Sequence, residues 1–193
     1  MKKKLGAKSV IYPIPTVLVG TEVAGKANYT LTGDCGIMGL QPALVYIALH
    51  ESSYTSEGIR RNNSFSLNFP TSKMMQIADY CGIHSGREVD KSLLFDIFYG
   101  ELGNVPLIEE CPVNLECRVL QNIVIQQRHI YIAEVVQTYV KDDLVINRDG
   151  HFYLANMTRL DPLIYSLDNR YYQIAESIGI GYSEGKKFQT PTA

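Results

Sequence analysis

The chain has 193 residues, of which 46% are apolar and 20% are charged, as is usual for one soluble globular domain with a full core. Its net charge of −2 offers no attraction for nucleic acid, so we expect no nucleic-acid partner. No apolar stretch approaches the roughly 18 residues needed to span a bilayer. Pro13 and Pro15 also interrupt the apolar segment that follows the basic run at residues 2–4. We therefore expect no membrane partner and a cytoplasmic protein.

The N-terminal two thirds of the chain carry more strand signals than helix signals. Residues 16–21, 43–50 and 64–69 are short runs rich in Val, Ile, Leu, Phe and Tyr, and we predict a strand at each. Between residues 115 and 125 apolar residues alternate with polar ones, and Glu116 and Arg118 fall on the polar face. This period of two predicts a half-buried strand, which pairs through a turn at residues 126–129 with a second strand over 130–140.

Three short helices are predicted among these strands. The first covers about residues 56–61, with Ser53 or Thr55 as its cap. The second covers about 73–80, capped by Thr71 or Ser72, with Gly82 just past its end. The third is short and starts at Asp90.

We predict that residues 1–193 form a single domain. We expect a flexible N-terminus over residues 1–10. We also expect a small helix at about 171–178 and a tail, so that residues 160–193 pack on the barrel or on a partner chain. The many strands with few helices predict a mainly β fold, a closed or partly closed antiparallel barrel.

The cysteines and histidines do not indicate a metal or disulfide site. A disulfide framework is typical of shorter, secreted chains. Cys111 and Cys117 are six residues apart and have no neighbouring histidine, which fits no common zinc-site spacing. We therefore predict no metal site. We expect the four cysteines to be free thiols with a structural role: Cys35, Cys81, Cys111 and Cys117.

The strongest local indication of ligand binding lies in residues 52–55, the sequence Ser-Ser-Tyr-Thr. Free N–H groups at a helix start, with hydroxyls nearby, bind a phosphate well. Taken alone, simple capping by Ser53 or Thr55 explains the pattern better. The sequence contains no Gly-x-Gly-x-x-Gly or Walker motif, so it does not support a Rossmann or P-loop site.

Two further segments contain groups suited to such a ligand. In residues 84–91, Gly86 permits close backbone approach, and Arg87 and Lys91 supply positive charge. In residues 28–31, Asn28 and Thr30 offer donors and acceptors that can contact the rim of a planar heterocycle. Each segment alone is better explained as a solvated loop or an edge strand. The combination of the three segments in the first half of the chain favours a nucleotide-type cofactor.

At these positions the sequence resembles the flavin reductase-like family of FMN-binding split barrels, and within it the flavoredoxins. The matching segments are 15–19, 28–30, 42–49, 54–55 with Ile59, 65–70, 85–87, 90–91, 106–112 and 115–117. The resemblance implies a six-stranded antiparallel split barrel with non-covalent FMN near a homodimer interface. It also implies electron transfer through the flavin, often fed by NADH or NADPH, to a partner protein or small-molecule acceptor.

The same resemblance assigns the residues of the cofactor site. A first group would lie along the flavin ring, a second at the phosphate and a third at the inner end of the pocket. A fourth group would support the phosphate. These residues are, in that order, Asn28, Tyr29, Thr30 and Leu31; His50, Ser53 and Thr55; Asn68; and Ser85, Arg87 and Lys91. No catalytic side chain is expected, because the flavin carries the chemistry.

Three functions remain open from the sequence. The first is a flavin-dependent oxidoreductase that takes hydride from NADH or NADPH. The second is an FMN-binding electron carrier without nicotinamide activity. The third is a cofactor-free binding protein on the same barrel. The tyrosines Tyr165, Tyr171 and Tyr172 either cover the flavin or, as the commoner role, pack in the core or at a dimer interface.

Overall fold

The computed structural model describes residues 2–187, apart from the side chain of Lys187. Met1 and residues 188–193, the last part of the predicted tail, lie outside the described residues. Four short 3-10 helices occupy Ser72–Met74, Lys91–Leu93, Asp142–Leu144 and Glu184–Lys187. The other elements, in chain order, are β1 (Ile14–Pro15), β2 (Val17–Val23), β3 (Lys26–Thr32), β4 (Cys35–Leu40), β5 (Ala43–His50), α1 (Tyr54–Asn62), β6 (Ser64–Phe69), α2 (Met75–Ile83), β7 (Ile97–Tyr99), β8 (Pro106–Ile108), β9 (Val113–Ile125), β10 (Arg128–Val140), β11 (Val145–Arg148), β12 (His151–Leu154), α3 (Met157–Leu160), β13 (Ile164–Ser166) and β14 (Arg170–Tyr172).

The main sheet is antiparallel and has seven strands in the order β3-β2-β6-β9-β10-β5-β4. Its two edge strands, β3 and β4, are consecutive in the chain and are joined only by Gly33 and Asp34. The sheet therefore curls so that its two edges approach each other at this link, but β3 and β4 do not pair, and the barrel stays open there. The mainly β fold class and the split barrel are confirmed, with β4 as a seventh strand.

Two apolar clusters lie on the two sides of β2. Val17, Val19, Phe65 and Leu67 point into the barrel together with the inner faces of β5, β9 and β10. Leu18 points the other way, into a second cluster under α2. The alternation along the strands thus buries both faces of β2, which explains its nearly continuous apolar sequence.

The predicted hairpin at residues 115–140 is confirmed, and it is longer than expected. β9 and β10 pair along thirteen residues each, and Gln126 takes the left-handed conformation of the turn (φ 53°). The placement of Glu116 on an exposed polar face is wrong, because its side chain is completely buried. Its carboxylate accepts hydrogen bonds from the N–H groups of Glu101 (2.8 Å) and Leu102 (3.2 Å) and from the Tyr139 hydroxyl (3.0 Å).

The three predicted helices form near their expected places. α1 begins after Ser53, ends at the left-handed Asn63, and packs on β2, where a Cβ on Gly58 would lie 2.6 Å from Thr21 Cγ2. α2 is preceded by a 3-10 turn and includes Gly82, which was expected beyond its end. The third is the 3-10 turn whose cap is Asp90, which accepts from the Ser92 N–H.

The helix predicted at residues 171–178 does not form. Instead, Arg170–Tyr172 is β14, which pairs with β13, and residues 173–180 contain no helix or strand. Asn169 takes a left-handed φ of 61° in the turn between these strands, as Asn does in tight hairpins. The hairpin extends onto β1 and presses Tyr171 against the cluster under α2.

Within residues 2–187, no helix is both long enough and apolar enough to cross a membrane.

Candidate functional site

A cleft of about 330 Å³ opens where β3, the turn before α1 and the segment after α2 meet. We call it the central cleft. Asn28 and Thr30 of β3 form one wall, residues 52–55 form the second, and residues 82–86 with Lys91 form the third. The structure therefore brings together the three segments that the sequence singled out, although they are separated by up to sixty residues in the chain.

The start of α1 contributes backbone donors to the cleft. Ser53 is the N-cap residue in extended conformation (φ −61°, ψ 129°), but its hydroxyl makes no capping hydrogen bond within the described residues. The N–H groups of the first turn thus have no side-chain acceptor from Ser53. Together with the positive end of the helix dipole, they suit an anionic group of phosphate type.

His50, which was predicted at the phosphate, lies beside the turn before α1. His50 ends β5, and its ring contacts the Ser52 hydroxyl (Nδ1 to Oγ, 2.8 Å) and Gln127 (Nε2 to Oε1, 3.2 Å). The Ser52 N–H also donates to Nδ1 (3.2 Å). His50 therefore holds the turn before α1 and does not line the central cleft.

Asn28 and Thr55 form a buried pair at the centre of the cleft. The Asn28 amide nitrogen donates to Thr55 Oγ1 (2.8 Å), while its Oδ1 is buried and has no hydrogen-bond partner in the described residues. Gly86 closes over this amide, since a Cβ on Gly86 would lie 1.9 Å from Oδ1. The backbone approach that Gly86 permits is thus to Asn28 rather than directly to a ligand.

Arg87 joins the segment after α2 to the start of α1. Its guanidinium donates to the Ser52 carbonyl (2.9 Å) and to Glu57 Oε2 (3.1 Å), and it lies 4.8 Å from the centre of the Tyr54 ring. Ser85 Oγ accepts from the Arg87 N–H (3.2 Å). Arg87 and Ser85 therefore shape the cleft by fixing two of its walls against each other.

Lys91 is a buried cation in the wall of the cleft, with a side chain only 3% exposed. Its ammonium donates to the carbonyls of Tyr29 and Cys81, each at 2.8 Å. Burial lowers the pKa of Lys91. Among the ion pairs of residues 2–187 none involves Lys91. A buried ammonium without a carboxylate favours an anionic ligand beside it.

A second cavity, of about 370 Å³, adjoins the central cleft along β3. We call it the tyrosine pocket. It is lined by Thr16, residues 31–33, Asp79 and Gly82, and by Tyr165, Asn169 and Tyr171 of the C-terminal hairpin. Gly82 lines both cavities and packs on Leu31, where an added Cβ would be 3.3 Å from Leu31 Cβ. Leu31 thus faces the tyrosine pocket and Thr30 the central cleft.

Two predicted site residues point elsewhere. Tyr29 is completely buried under α2, edge-on to Phe95 at 5.3 Å, so only its backbone belongs to the site. Asn68 is completely buried in a separate network, in which it donates to the Leu18 carbonyl (3.0 Å) and accepts from the Ile108 N–H (3.0 Å). This network fastens β8 to the sheet, so Asn68 does not close the cleft.

The cysteines carry no sign of redox chemistry. All four are free thiols within the described residues. Burial raises the pKa of Cys35 and of Cys81 to about 11, and it raises those of Cys111 and Cys117 further. The reactive form of cysteine is the thiolate, so these thiols are suited to packing.

Sequence reasoning missed Asp79 as a lining residue. It lies on α2 three positions before Gly82, so the two share one helix face, and this spacing is the signal that was available. A single acidic residue on a short helix is too common to indicate a site. Its importance appears only when the C-terminal hairpin is seen to pack beside it.

Comparisons with known proteins agree with this arrangement. A family model described as "Flavin reductase like domain" matches residues 9–174. The structure of flavoredoxin from Methanosarcina acetivorans is 37% identical, with 96% of this chain and 98% of that chain covered and a TM-score of 0.90. Flavoredoxin of Desulfovibrio vulgaris is 30% identical, with coverage of 96% and 100% and a TM-score of 0.86.

A more distant structure shares the fold. The FMN-binding protein from Thermus thermophilus is 20% identical, with 93% of this chain and 99% of that chain covered and a TM-score of 0.77. The family model and both flavoredoxins cover most of the chain, and the split barrel brings residues of segments 28–30, 52–55 and 82–91 to one cleft. The chain therefore belongs to the flavin reductase-like family of flavin-binding oxidoreductases.

Proposed function

We propose that the protein binds FMN non-covalently in the central cleft and uses it to oxidise NADH or NADPH for an electron acceptor. The observation that carries this proposal is the buried Lys91 side chain in the wall of the same cleft that the start of α1 lines. An ammonium without a carboxylate and a helix N-terminus without a side-chain cap both favour a phosphate. The two flavoredoxins, similar over nearly the whole chain, support flavin as the redox group.

The residues present fit FMN. Backbone N–H groups at residues 54 and 55 and the Thr55 hydroxyl would hold the phosphate, because the Ser53 N–H already donates to the His50 carbonyl (3.0 Å). Lys91 would supply positive charge from the wall of the cleft. Asn28, whose amide nitrogen donates to Thr55 Oγ1 (2.8 Å), would orient the Thr55 hydroxyl toward the ligand. Thr30, which lines the central cleft, would lie beside the flavin ring, and Leu31, which lines the adjoining tyrosine pocket, would lie at the end of that ring. The Thermus protein named as FMN-binding is consistent with a cofactor of this size in this fold.

The bound flavin supplies reversible two-electron chemistry, accepting hydride from a nicotinamide and giving electrons to an acceptor. The chain's own groups bind and orient it, and none of them is required as an acid or a base. Backbone N–H groups near residues 30–31 would hydrogen-bond the ring edge. The acceptor is either a redox protein or a small molecule.

We also propose that the protein is a homodimer. Edge strand β4 exposes Ile37 (71%), Met38 (53%) and Leu40 (79%) side by side, which is more apolar surface than one edge strand usually leaves in water. A second copy would cover these side chains, with the FMN site near the interface.

Arg87→Ala tests the phosphate end of the cleft. Loss of the guanidinium frees the segment after α2 from Ser52 and Glu57, so we expect FMN to bind about tenfold more weakly while riboflavin, which has no phosphate, changes little. Calorimetric titration with both ligands measures this difference. The matched control is Arg61→Ala, because Arg61 also pairs with Glu57 (2.7 Å) but does so within α1 and joins no second wall of the cleft to it. Equal FMN affinity in wild type and Arg87→Ala would contradict the phosphate assignment.

A further inference from the structure

The tyrosine pocket differs in charge from the central cleft beside it. The central cleft has Lys91 in its wall, and Arg87 joins two of its walls. The residues that line the tyrosine pocket include one carboxylate, Asp79, and neither Lys, Arg nor His. The Asp79 carboxylate would repel a phosphate from the tyrosine pocket, whereas it would not repel a neutral ring and would attract a positively charged one.

The Asp79 carboxylate can accept a further hydrogen bond. Its Oδ1 accepts a hydrogen bond from the Tyr171 hydroxyl at 2.7 Å. No ion pair involves Asp79 in residues 2–187, and the hydrogen bonds found there use Oδ1 alone. The second carboxylate oxygen can therefore accept from a ligand. Burial and the bond to Asp79 both raise the pKa of Tyr171, so its hydroxyl stays a donor that holds Asp79 in place.

The remaining walls suit one planar ring with a small substituent. The Tyr165 and Tyr171 rings lie 5.6 Å apart at 61° to each other, and the Tyr165 hydroxyl donates to Asn169 Oδ1 (2.9 Å). Leu31 and the side-chain-free Gly33 and Gly82 complete the pocket. Aromatic walls with a few fixed polar groups are typical of sites that hold a ring in one orientation.

We propose that the tyrosine pocket receives the nicotinamide ring of the electron donor and that Asp79 determines its binding. The carboxamide of this ring donates N–H groups, which Asp79 accepts. When the ring gives up a hydride, one proton with two electrons, to the flavin, it is left with one positive charge that the Asp79 carboxylate stabilises. This inference rests on the proposed function, because the donor is useful here only beside a bound flavin.

Asp79→Asn is the direct test, because Asn keeps the size and the Oδ1 acceptor for Tyr171 and removes the charge. FMN-loaded, oxidised protein is titrated calorimetrically with 1-methylnicotinamide, a redox-inert cation that carries the same carboxamide. We expect the variant to bind it about tenfold more weakly, while the Kd for FMN stays within about twofold of wild type. The matched control is Asp149→Asn, in the turn between β11 and β12, which should bind both ligands as wild type does.

Tyr171→Phe separates the charge of Asp79 from the packing of the hairpin. It removes the hydroxyl that occupies Oδ1 and leaves the ring and the carboxylate, so 1-methylnicotinamide should bind at least as tightly as to wild type. A loss as large as that in Asp79→Asn would mean that only docking of the hairpin matters and would overturn the inference.

The remaining outcomes distinguish this inference from the proposed function. If wild type binds no FMN, the proposed function fails and the inference with it. If wild type binds FMN but not 1-methylnicotinamide, or if Asp79→Asn binds both as wild type does, only the inference fails. Weaker FMN binding with unchanged 1-methylnicotinamide binding would place Asp79 against the flavin ring and would also overturn it.

Discussion

Among single residues, Gly86 sets how the walls of the central cleft meet. Its Cα lies against the Asn28 amide and the Tyr54 ring, and a Cβ there would lie 1.9 Å from Asn28 Oδ1 and 2.8 Å from Tyr54 Cδ1. Neither neighbour can retreat freely, because Asn28 is bonded to Thr55 and Tyr54 lies under Arg87. The glycine is therefore required by space rather than by an unusual backbone conformation.

Gly86→Ala should damage the cleft through this contact. We expect it to displace Asn28 from Thr55, to lower the free energy of unfolding by about 1–3 kcal/mol, and to weaken FMN binding by at least about tenfold. Urea unfolding and FMN titration measure the two effects. The control is Gly181→Ala, whose added Cβ would have no atom within 4 Å. Unchanged FMN affinity in Gly86→Ala would contradict the importance of this contact.

The same residues show what the sequence could predict about the site. Asn28, Thr55 and Lys91 were singled out for their chemistry, and the fold does bring them to one cleft. The direction of a side chain depends on which sheet face each strand residue occupies, and β3 is covered on both sides. The sequence therefore could not show that Tyr29 points into the core while its neighbours face the cleft.

At the level of elements, Glu116 fixes the turn at residues 100–103 onto β9. The turn's N–H groups and the Tyr139 hydroxyl all donate to the one buried carboxylate. Gly100 allows the close approach, because a Cβ there would lie 2.1 Å from the Tyr139 hydroxyl oxygen. The turn is thus held by charge-assisted hydrogen bonds rather than by apolar packing.

Glu116→Gln should destabilise the fold. One acceptor oxygen becomes an NH₂ group that faces N–H and O–H donors, so at least one donor is left unpaired, at a cost of about 1–3 kcal/mol. Urea unfolding measures the change in the free energy of unfolding. Glu134→Gln, on β10, is the control: its ion pair with Arg118 is long (3.9 Å) and exposed, and we expect a change below about 0.5 kcal/mol. Equal effects of the two substitutions would count against the anchoring role.

The longer strands β2, β5, β6, β9 and β10 and the short helices among them were predictable, because their apolar patterns are clear. The strands β4, β7 and β8 were not predicted. Nor was the C-terminal part. The sequence around Tyr171 and Tyr172 shows no apolar periodicity that indicates a strand. β14 forms because the turn at Asn169 returns the chain beside β13. Likewise, Glu116 fits an alternating exposed face locally, and only the distant turn at residues 100–103 buries it.

For the whole molecule, the curled sheet leaves one apolar edge open. β3 and β4 end the sheet on either side of the Gly33–Asp34 link, and β4 exposes its apolar side chains there. This is the surface that the proposed homodimer would cover. The order of the strands follows from contacts between distant segments, so the position of this edge was not predictable from the sequence itself.

Leu40→Glu should weaken the proposed dimer. A carboxylate buried without a partner at an apolar interface is strongly unfavourable, so we expect the protein to change from dimer to monomer at micromolar concentration. Light scattering coupled to size-exclusion chromatography measures the mass. Ile178→Glu, at another fully exposed apolar position, should leave the mass unchanged. A wild-type protein that is monomeric at high concentration would contradict the dimer.

The visible absorbance spectrum of the purified protein, recorded without oxygen after addition of FMN and then of NADH or NADPH, tests the central claim most directly. Binding in the central cleft and hydride transfer predict a shifted flavin band that bleaches on addition of the nicotinamide. A shifted band that persists with both nicotinamides would contradict the oxidoreductase and favour an electron carrier. A spectrum of free FMN, unchanged by the protein, would contradict the flavin site itself.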